Sequence, residues 1–339
     1  MRHKEEPCGK MKKIKTLALA EIADPAAAAE IGKYCDVTVR KLTDEAAVLA
    51  EITDYEAVIV PYTVNMLISE AVIDAAPNLK LIASTYGGTR QNIADLHAIR
   101  KGITVIHTGA SRERPMAEYT LGLVLASLLR IADYHADMTR GNEAWPRMKY
   151  PRTRILHNRK VAVVGCGRIG KAILSLFRCF TDKLSVVSNH LSAEESAKLG
   201  AVKMELNEAF AQNEIIILAG GNNASTFHQV GEAAFAVMQK DALFVNIARG
   251  QMVDEAAMIR AAQEKEIFLA LDVFETEPLS ADSPLRKMDR VLLTPHRANN
   301  SIEFEERWSC LAADIALFAG GSTPESALTE ARAMVMSES

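Results

Sequence analysis

The feature that most constrains the fold is a glycine-rich turn in the middle of the chain. Residues 161–170 read VAVVGCGRIG, a Val-rich run that ends in a G-x-G-x-x-G sequence. A strand that passes through such a turn into a helix is typical of a dinucleotide-binding module. Gly165 allows the turn, Gly167 lets the backbone approach a pyrophosphate, and Gly170 lets helix and strand pack closely. The amide groups at the helix N-terminus then face the phosphates.

Short apolar runs alternate with helical patterns on both sides of this turn, which predicts parallel sheets covered by helices. Candidate strands before the turn are Ile14–Ala20, Asp36–Arg40, Ala57–Val60, Leu79–Ser84 and Thr104–His107. Candidate helices there are Pro25–Tyr34, Asp44–Ile52, Val64–Ala76, Asn92–Lys101 and Met116–Ile131, the last of which we expect to connect two domains. Later strands are predicted at Val161–Gly165, Leu184–Val187, Ile215–Ala219, Leu243–Ile247, Phe268–Asp272 and Val291–Leu293, followed by a helix at Glu303–Ala319.

Because a separate βα pattern precedes the glycine turn, we expect the nucleotide module to be inserted into another domain. The length of 339 residues suits two domains. The predicted substrate domain is discontinuous and comprises residues 1–110 and 299–339, and residues 111–298 form an NAD(P)-binding Rossmann domain. The fold class is therefore α/β, with two doubly wound parallel-sheet domains, of which the substrate domain is flavodoxin-like.

The composition is that of an ordinary globular enzyme, with 49% hydrophobic and 24% charged residues. A net charge of −4 provides no general basic field, so no nucleic-acid partner is predicted. No apolar run is long enough for a membrane span. The five cysteines show no metal-ligand spacing, which favours reduced thiols, a cytoplasmic location and no bound metal.

Three reactive side chains follow predicted strand ends. Arg249 follows residues 243–247, Glu277 follows residues 268–272, and His296 follows residues 291–293. In open α/β sheets, ligands bind beyond the carboxyl ends of the strands. A guanidinium can bind an anionic keto acid, an imidazole can move a proton, and a carboxylate can hold the imidazolium. Each residue alone is better explained as a turn or loop residue, but their joint order after the glycine turn favours catalysis.

From about Ala57 to Gly321 the chain resembles the D-isomer-specific 2-hydroxyacid dehydrogenases. The blocks GCGRIG, MQKDALFVNIARGQMVDEAAMIRA, ALDVFETEPL and VLLTPH carry the resemblance, in the family's order and spacing, and residues 76–80, 116–118, 140–141 and Trp145 also match. The resemblance implies hydride transfer between NAD(P) and a small 2-keto or D-2-hydroxy acid, of the glyoxylate or hydroxypyruvate type or larger. It also implies a homodimer built through the nucleotide domain.

The resemblance further implies roles for individual residues. Arg249 would bind the substrate carboxylate and carbonyl, His296 would be the acid/base, and Glu277 would orient and charge His296. The loop Tyr86-Gly87-Gly88 would supply backbone N–H groups to the carboxylate. The residues implied in cofactor binding are Gly165, Gly167, Arg168, Ile169, Gly170, Ser188, Asn189, Gly220, Thr226, Ile247, Ala248, Asp272 and Ala298, with Asp272 on the nicotinamide side.

The chain departs from the family's pattern at the residue that selects the cofactor. Ser188 stands where the family has an aspartate, which removes an acceptor for the 2′-hydroxyl and the repulsion of a 2′-phosphate. No arginine follows closely, and Asn189 and His190 are the polar neighbours. NADP(H) is therefore slightly favoured over NAD(H). The segment 219–223 and the residues Arg297 and Asn299-Asn300 also depart from the pattern, which leaves the choice of acid open.

Two further expectations concern mechanism and class. A free imidazole is often neutral at pH 7, and a neighbouring carboxylate favours its protonated form. We therefore expect Glu277→Gln to move the loss of ketone reduction to lower pH. The alternative function is a dinucleotide-sensing interaction protein, like the corepressors that resemble this family and retain the three residues. Turnover of a panel of 2-keto acids, abolished by His296→Ala, separates the two.

Overall fold

The computed structural model describes residues 12–63, 65–140, 145–334 and 336, so Val64 and Gly141 lie outside the described residues. Its contacts divide the chain into two units. The first unit runs to Ser111 and resumes at Glu305, and the second comprises Arg112–Phe304. Residues 299–304 thus belong to the second unit, where the Phe304 ring lies 5.5 Å from the Arg112 guanidinium carbon.

The first unit contains a parallel sheet of five strands in the order β2-β1-β3-β4-β5, which is the flavodoxin-like doubly wound order. Its strands are β1 (Ile14–Ala18), β2 (Cys35–Val39), β3 (Ala57–Val60), β4 (Leu81–Ser84) and β5 (Thr104–His107). Its helices are α1 (Pro25–Tyr34), α2 (Glu45–Glu51), α3 (Glu70–Asp74), α4 (Asp95–Arg100), α12 (Arg307–Ala319) and α13 (Glu330–Ala333). The α12 helix returns to this unit because Trp308, Leu311 and Ile315 are buried in one apolar cluster with Ile31 of α1.

The second unit contains seven parallel strands in the order β12-β11-β10-β9-β6-β7-β8, the Rossmann order with a seventh strand at one edge. Its strands are β6 (Val161–Val164), β7 (Leu184–Val187), β8 (Ala201–Lys203), β9 (Ile215–Leu218), β10 (Leu243–Asn246), β11 (Phe268–Leu271) and β12 (Val291–Leu293). Its helices are α5 (Glu113–Leu128), α6 (Ile131–Arg140), α7 (Arg168–Phe177), α8 (Ala193–Lys198), α9 (Leu206–Gln212), α10 (Glu232–Ala236) and α11 (Glu255–Lys265). The predicted α/β class with two parallel-sheet domains is confirmed.

The helix α5 lies within the second unit rather than between the units. It packs along α7 and contacts β10, β11 and β12. It ends before Arg130, which adopts a left-handed conformation with φ 54°, and α6 then begins at Ile131. No single helix in the described ranges is long and apolar enough to cross a membrane. The pair Gly109–Leu128 and Ile131–Arg140 passes on length and composition together but is bent by 65°.

Three predicted helices are at least four residues shorter in the structure. The one expected over Asn92–Lys101 is helical over Asp95–Arg100. The one expected from Val64 to Ala76 is helical only over Glu70–Asp74, because Ile68 instead forms a parallel bridge with Ile93. The one expected from Glu303 begins as a 3₁₀ turn and becomes α-helical at Arg307. Tertiary hydrogen bonds thus override a helical pattern near chain reversals.

Candidate active site

The glycine turn has the geometry that a pyrophosphate requires. Gly165 has φ 97°, and a Cβ there would lie 2.4 Å from Cα of Gly220. A Cβ on Gly170 would lie 2.2 Å from the carbonyl oxygen of Gly165, whereas nothing lies within 4 Å of one on Gly167. Two of the glycines are therefore required by packing, and the third leaves space at the N-terminus of α7. No side chain among the described residues caps that helix end, so its first N–H groups suit a dinucleotide phosphate.

Two other candidates in this turn are held by the protein itself. Arg168 donates from Nη1 to Oε1 of Glu113 at 2.6 Å, which joins the start of α7 to the start of α5. Ile169 packs against the apolar core that α5, α7 and the sheet share. Their side chains thus orient α7 behind the turn.

The strand end that would meet the adenosine ribose carries no acid. Ser188 directly follows β7, and its Oγ accepts a hydrogen bond from the backbone N–H of His190 at 3.3 Å. Asn189 and His190 are exposed. The next carboxylate pair, Glu194 and Glu195, starts α8, where Glu195 caps the helix by accepting from the Ser192 N–H at 2.7 Å. The described residues 188–190 therefore place no carboxylate at this strand end.

The loop after β9 is held together by its own polar groups. Thr226 accepts at Oγ1 from the Asn223 N–H at 2.9 Å and donates to the Gly221 carbonyl at 2.9 Å. A Cβ on Gly220 would approach Met252 to 2.9 Å, and Gly220 is also the residue that a Cβ on Gly165 would meet. Asn222 donates from Nδ2 to Oε1 of Gln251 at 3.1 Å. Thr226 and Gly220 therefore shape the loop beside the glycine turn.

The turn that carries Arg249 is set by two residues that sequence reasoning missed. Buried Asn246 accepts at Oδ1 from the Ala248 N–H at 3.0 Å and donates from Nδ2 to the Arg249 carbonyl at 3.1 Å. A Cβ on Gly250 would lie 1.8 Å from the carbonyl carbon of Phe274, so the turns after β10 and β11 pack backbone to backbone. An asparagine whose side chain binds the backbone two residues on is a recognisable turn signal at a strand end. Arg249 itself is half-buried and donates from Nη1 to the Ala248 carbonyl at 2.8 Å.

Three apolar residues among the predicted cofactor residues have buried side chains. Ile247, Ala248 and Ala298 are 3%, 6% and 4% exposed. Their side chains belong to the apolar clusters on the two faces of the sheet. Contact with a cofactor would therefore go through their backbone atoms.

His296 and Glu277 form a close pair. Nδ1 of His296 lies 2.7 Å from Oε2 of Glu277, and the other carboxylate oxygen accepts from the Phe274 N–H at 3.0 Å. Both side chains are partly exposed, at 42% and 36%. Because a carboxylate only accepts hydrogen bonds, Glu277 favours the form of the ring that carries a proton on Nδ1. The Nε2 atom is then left to exchange a proton with a ligand.

A buried carboxylate holds the loop that carries His296. Asp272 is fully buried. Its Oδ1 accepts hydrogen bonds from Oγ1 of Thr294 at 2.6 Å and from the Arg297 N–H at 3.0 Å. Its Oδ2 accepts a hydrogen bond from the Ala298 N–H at 2.9 Å. Its carbonyl accepts a hydrogen bond from the His296 N–H at 2.8 Å, and His296 itself has φ 52°. Its oxygens thus bind the loop that carries His296, and its place on the nicotinamide side stays a prediction.

Tyr119 and Thr294, both missed from the sequence, complete this arrangement. The Tyr119 hydroxyl lies 3.4 Å from Oδ1 of Asp272. Burial raises the pKa of Tyr119, so its hydroxyl remains a donor at neutral pH. These residues lie on different elements, and no spacing pattern in the sequence connects them.

The three candidate catalytic residues emerge at one edge of the second unit's sheet. The strands β10, β11 and β12 are parallel neighbours, with Asn246 opposite Leu271 and Leu271 opposite Leu293. Neighbouring strands lie about 4.8 Å apart, so Arg249, Glu277 and His296 leave strand ends within two strand spacings. The described residues contain no group of three potential metal ligands.

In the first unit, the predicted substrate loop is held by buried polar residues. The Tyr86 ring stacks on Tyr62 with centroids 4.3 Å apart. The Tyr86 carbonyl accepts from the Thr108 N–H at 3.3 Å, and Asn92 donates from Nδ2 to the Pro61 carbonyl at 2.7 Å. Gly87 lies between these anchors, and a Cβ on Gly88 would meet nothing within 4 Å. The backbone of this loop is thus constrained and open to a small ligand.

Residues 121–298 match the family model described as D-isomer specific 2-hydroxyacid dehydrogenase, NAD binding domain. The chain belongs to this family. It is 33% identical over 286 residues to the glyoxylate reductase of Thermofilum pendens, across 82% of this chain and 84% of that protein. This confirms the family predicted from the motifs, whose members are oxidoreductases that use a nicotinamide cofactor and act on small 2-keto or 2-hydroxy acids.

Solved structures agree with this fold. The PH0520 protein of Pyrococcus horikoshii superposes on this chain with a TM-score of 0.79 at 27% identity. The superposition covers 94% of this chain and 96% of that chain. The D-mandelate dehydrogenase of Rhodotorula graminis has a TM-score of 0.82 at 21% identity, covering 94% and 98%. At that identity the second comparison shows the shared fold alone.

Proposed function

We propose that the protein reduces a 2-keto acid to the D-2-hydroxy acid, or catalyses the reverse, with His296 as acid/base and Arg249 as the substrate-binding cation. The observation that carries the proposal is the 2.7 Å pair of His296 and Glu277 at the same sheet edge as the glycine turn. When bound, a reduced nicotinamide supplies the hydride. His296 donates the proton from Nε2 to the carbonyl oxygen, and Glu277 stabilises the imidazolium before that transfer. Arg249 binds the carboxylate and stabilises the developing oxyanion.

The test is the absorbance of the nicotinamide band with a panel of 2-keto acids. General acid catalysis contributes about 10²- to 10⁴-fold, so His296→Ala is expected to lower kcat by that factor. The chain offers a matched control, because His228 pairs with Glu275 at 2.8 Å elsewhere in the same unit. His228→Ala is expected to retain kcat within a few-fold. Cofactor binding without turnover of any acid would contradict the proposal and favour dinucleotide sensing.

We further propose that the cofactor is NADP(H) in preference to NAD(H), because residues 188–190 place no carboxylate against a 2′-phosphate. The ratio of kcat/KM for NADPH to that for NADH measures the preference. Ser188→Asp is expected to move that ratio toward NADH. Ser192→Asp is the control, since it adds the same charge nearby and retains a residue type that caps α8. A strong NADH preference in the unaltered protein would refute the proposal.

A homodimer is the proposed assembly. Its support is the family resemblance together with exposed apolar side chains on α6 and the segment after it, where Ile131, Met138, Trp145 and Met148 are 55%, 50%, 70% and 87% exposed. Light scattering is expected to give the mass of two chains, and Trp145→Glu combined with Met148→Glu to give that of one. Val202→Glu, at another exposed apolar position, is the control. A single-chain mass for the unaltered protein would contradict the assembly.

A further inference from the structure

A cleft of about 590 Å³ opens in the second unit beside His296. Phe274, Leu279, Leu293 and two prolines line it, together with the polar residues Glu277, Arg286, Thr294 and His296. Binding sites for small organic molecules have volumes of about 300–1,000 Å³ and predominantly apolar walls with a few polar groups. The cleft therefore has the size and chemistry of a site for a hydrocarbon group.

The cation in the lining is bound to the wall of the cleft itself. Arg286 donates from Nε to the Ser280 carbonyl at 2.8 Å and from Nη2 to the Leu279 carbonyl at 2.9 Å. These bonds hold the backbone that carries Leu279 and occupy one of the two edges by which the guanidinium could bind a carboxylate bidentately. The arrangement favours an apolar ligand group over an anionic one.

We propose that this cleft binds the side chain of the substrate, so that the protein acts on 2-oxo acids with a branched or aromatic hydrocarbon side chain in preference to glyoxylate. The inference rests on the proposed function, in which Arg249 binds the carboxylate and His296 the carbonyl oxygen. The remaining substituent on C2 is the side chain, and His296 is the residue that the cleft shares with the proposed substrate site. Glyoxylate has only hydrogen there and leaves the cleft to water.

The expected preference follows from the burial of methylene groups. Each buried methylene is worth about 0.8 kcal/mol, or roughly fourfold in kcat/KM. For 4-methyl-2-oxopentanoate we expect kcat/KM at least tenfold above that for glyoxylate. Leu279→Trp fills the cleft and is expected to lower this ratio at least tenfold. Val202→Trp introduces the same ring at an exposed position on β8, the opposite edge of the sheet, and is expected to keep the ratio.

A preference of the unaltered protein for glyoxylate, or equal ratios in the two tryptophan variants, would overturn the assignment. Should Leu279→Trp not fold by circular dichroism, thermal shifts of the unaltered protein with NADPH and saturated carboxylates decide. A shift that grows from acetate to 4-methylpentanoate supports the cleft, and equal shifts overturn it. Thermal shifts that grow with the length of the carboxylate, without turnover of any 2-oxo acid, would refute the proposed function. The cleft would then still be assigned as a site for a hydrocarbon group.

Discussion

Replacing Asp272 by asparagine tests whether a buried carboxylate positions His296. The amide retains one acceptor oxygen in place of two. With that oxygen at the Oδ1 position, the bonds from Thr294 and the Arg297 N–H survive. The amide NH₂ then faces the Ala298 N–H, which the carboxylate accepts at 2.9 Å. One bond is lost, and both the Ala298 N–H and the amide NH₂ become buried donors without an acceptor, each of which costs about 1–3 kcal/mol.

Two milder substitutions give the expected order of effects. Thr294→Val removes the 2.6 Å bond but leaves both backbone N–H groups paired, which corresponds to about 1 kcal/mol. Tyr119→Phe removes a contact of 3.4 Å, beyond the usual length of an O–H···O bond, so its effect should stay below about 0.5 kcal/mol. We therefore expect destabilisation to increase from Tyr119→Phe through Thr294→Val to Asp272→Asn.

Hydrogen exchange of the peptide covering residues 294–298, with urea midpoints for the whole protein, measures this order. Asp272→Asn should speed exchange at Arg297 and Ala298 and lower kcat at least tenfold, since misplacing a reacting group by about 1 Å costs on the order of 100-fold. Unchanged exchange and unchanged kcat in Asp272→Asn would refute the positioning role. Loss of kcat without faster exchange would instead indicate direct contact with the cofactor.

Three other predictions concern the glycine turn, a buried acid and the imidazole pair. Gly170→Ala should lower the melting temperature, because it forces a Cβ to within 2.2 Å of a backbone oxygen. Gly167→Ala should keep the melting temperature and weaken NAD(P)H binding in a fluorescence titration. Equal effects of the two substitutions would contradict the assigned roles. Burial raises the pKa of Asp95, so the folded state prefers the protonated acid and loses that stability as pH rises through the raised pKa. Urea midpoints of Asp95→Asn should therefore rise relative to the unaltered protein as the pH increases above about 4, and a constant difference would contradict this. Glu277→Gln should lower kcat for ketone reduction, because a neutral amide replaces the carboxylate that lies 2.7 Å from Nδ1 of His296, and an unchanged kcat would contradict the pairing.

The family, the two α/β units and the strand ends that carry Arg249, Glu277 and His296 could all be predicted from the order of the amino acids. These follow from local patterns, because a strand, a glycine turn and a helix start are each written in a few consecutive residues. The close approach of Gly165 to Gly220 already goes beyond such patterns, since those residues lie on different strand ends.

How the site is held depends on contacts between elements that are distant in the chain. Asp272 meets Tyr119 across 153 positions of the chain, and the turns after β10 and β11 pack backbone to backbone at Gly250 and Phe274. The cleft beside His296 likewise exists only because separate turns pack against one another. Buried polar groups require partners, but which donor meets which acceptor depends on packing between elements, and no periodicity along the chain encodes it.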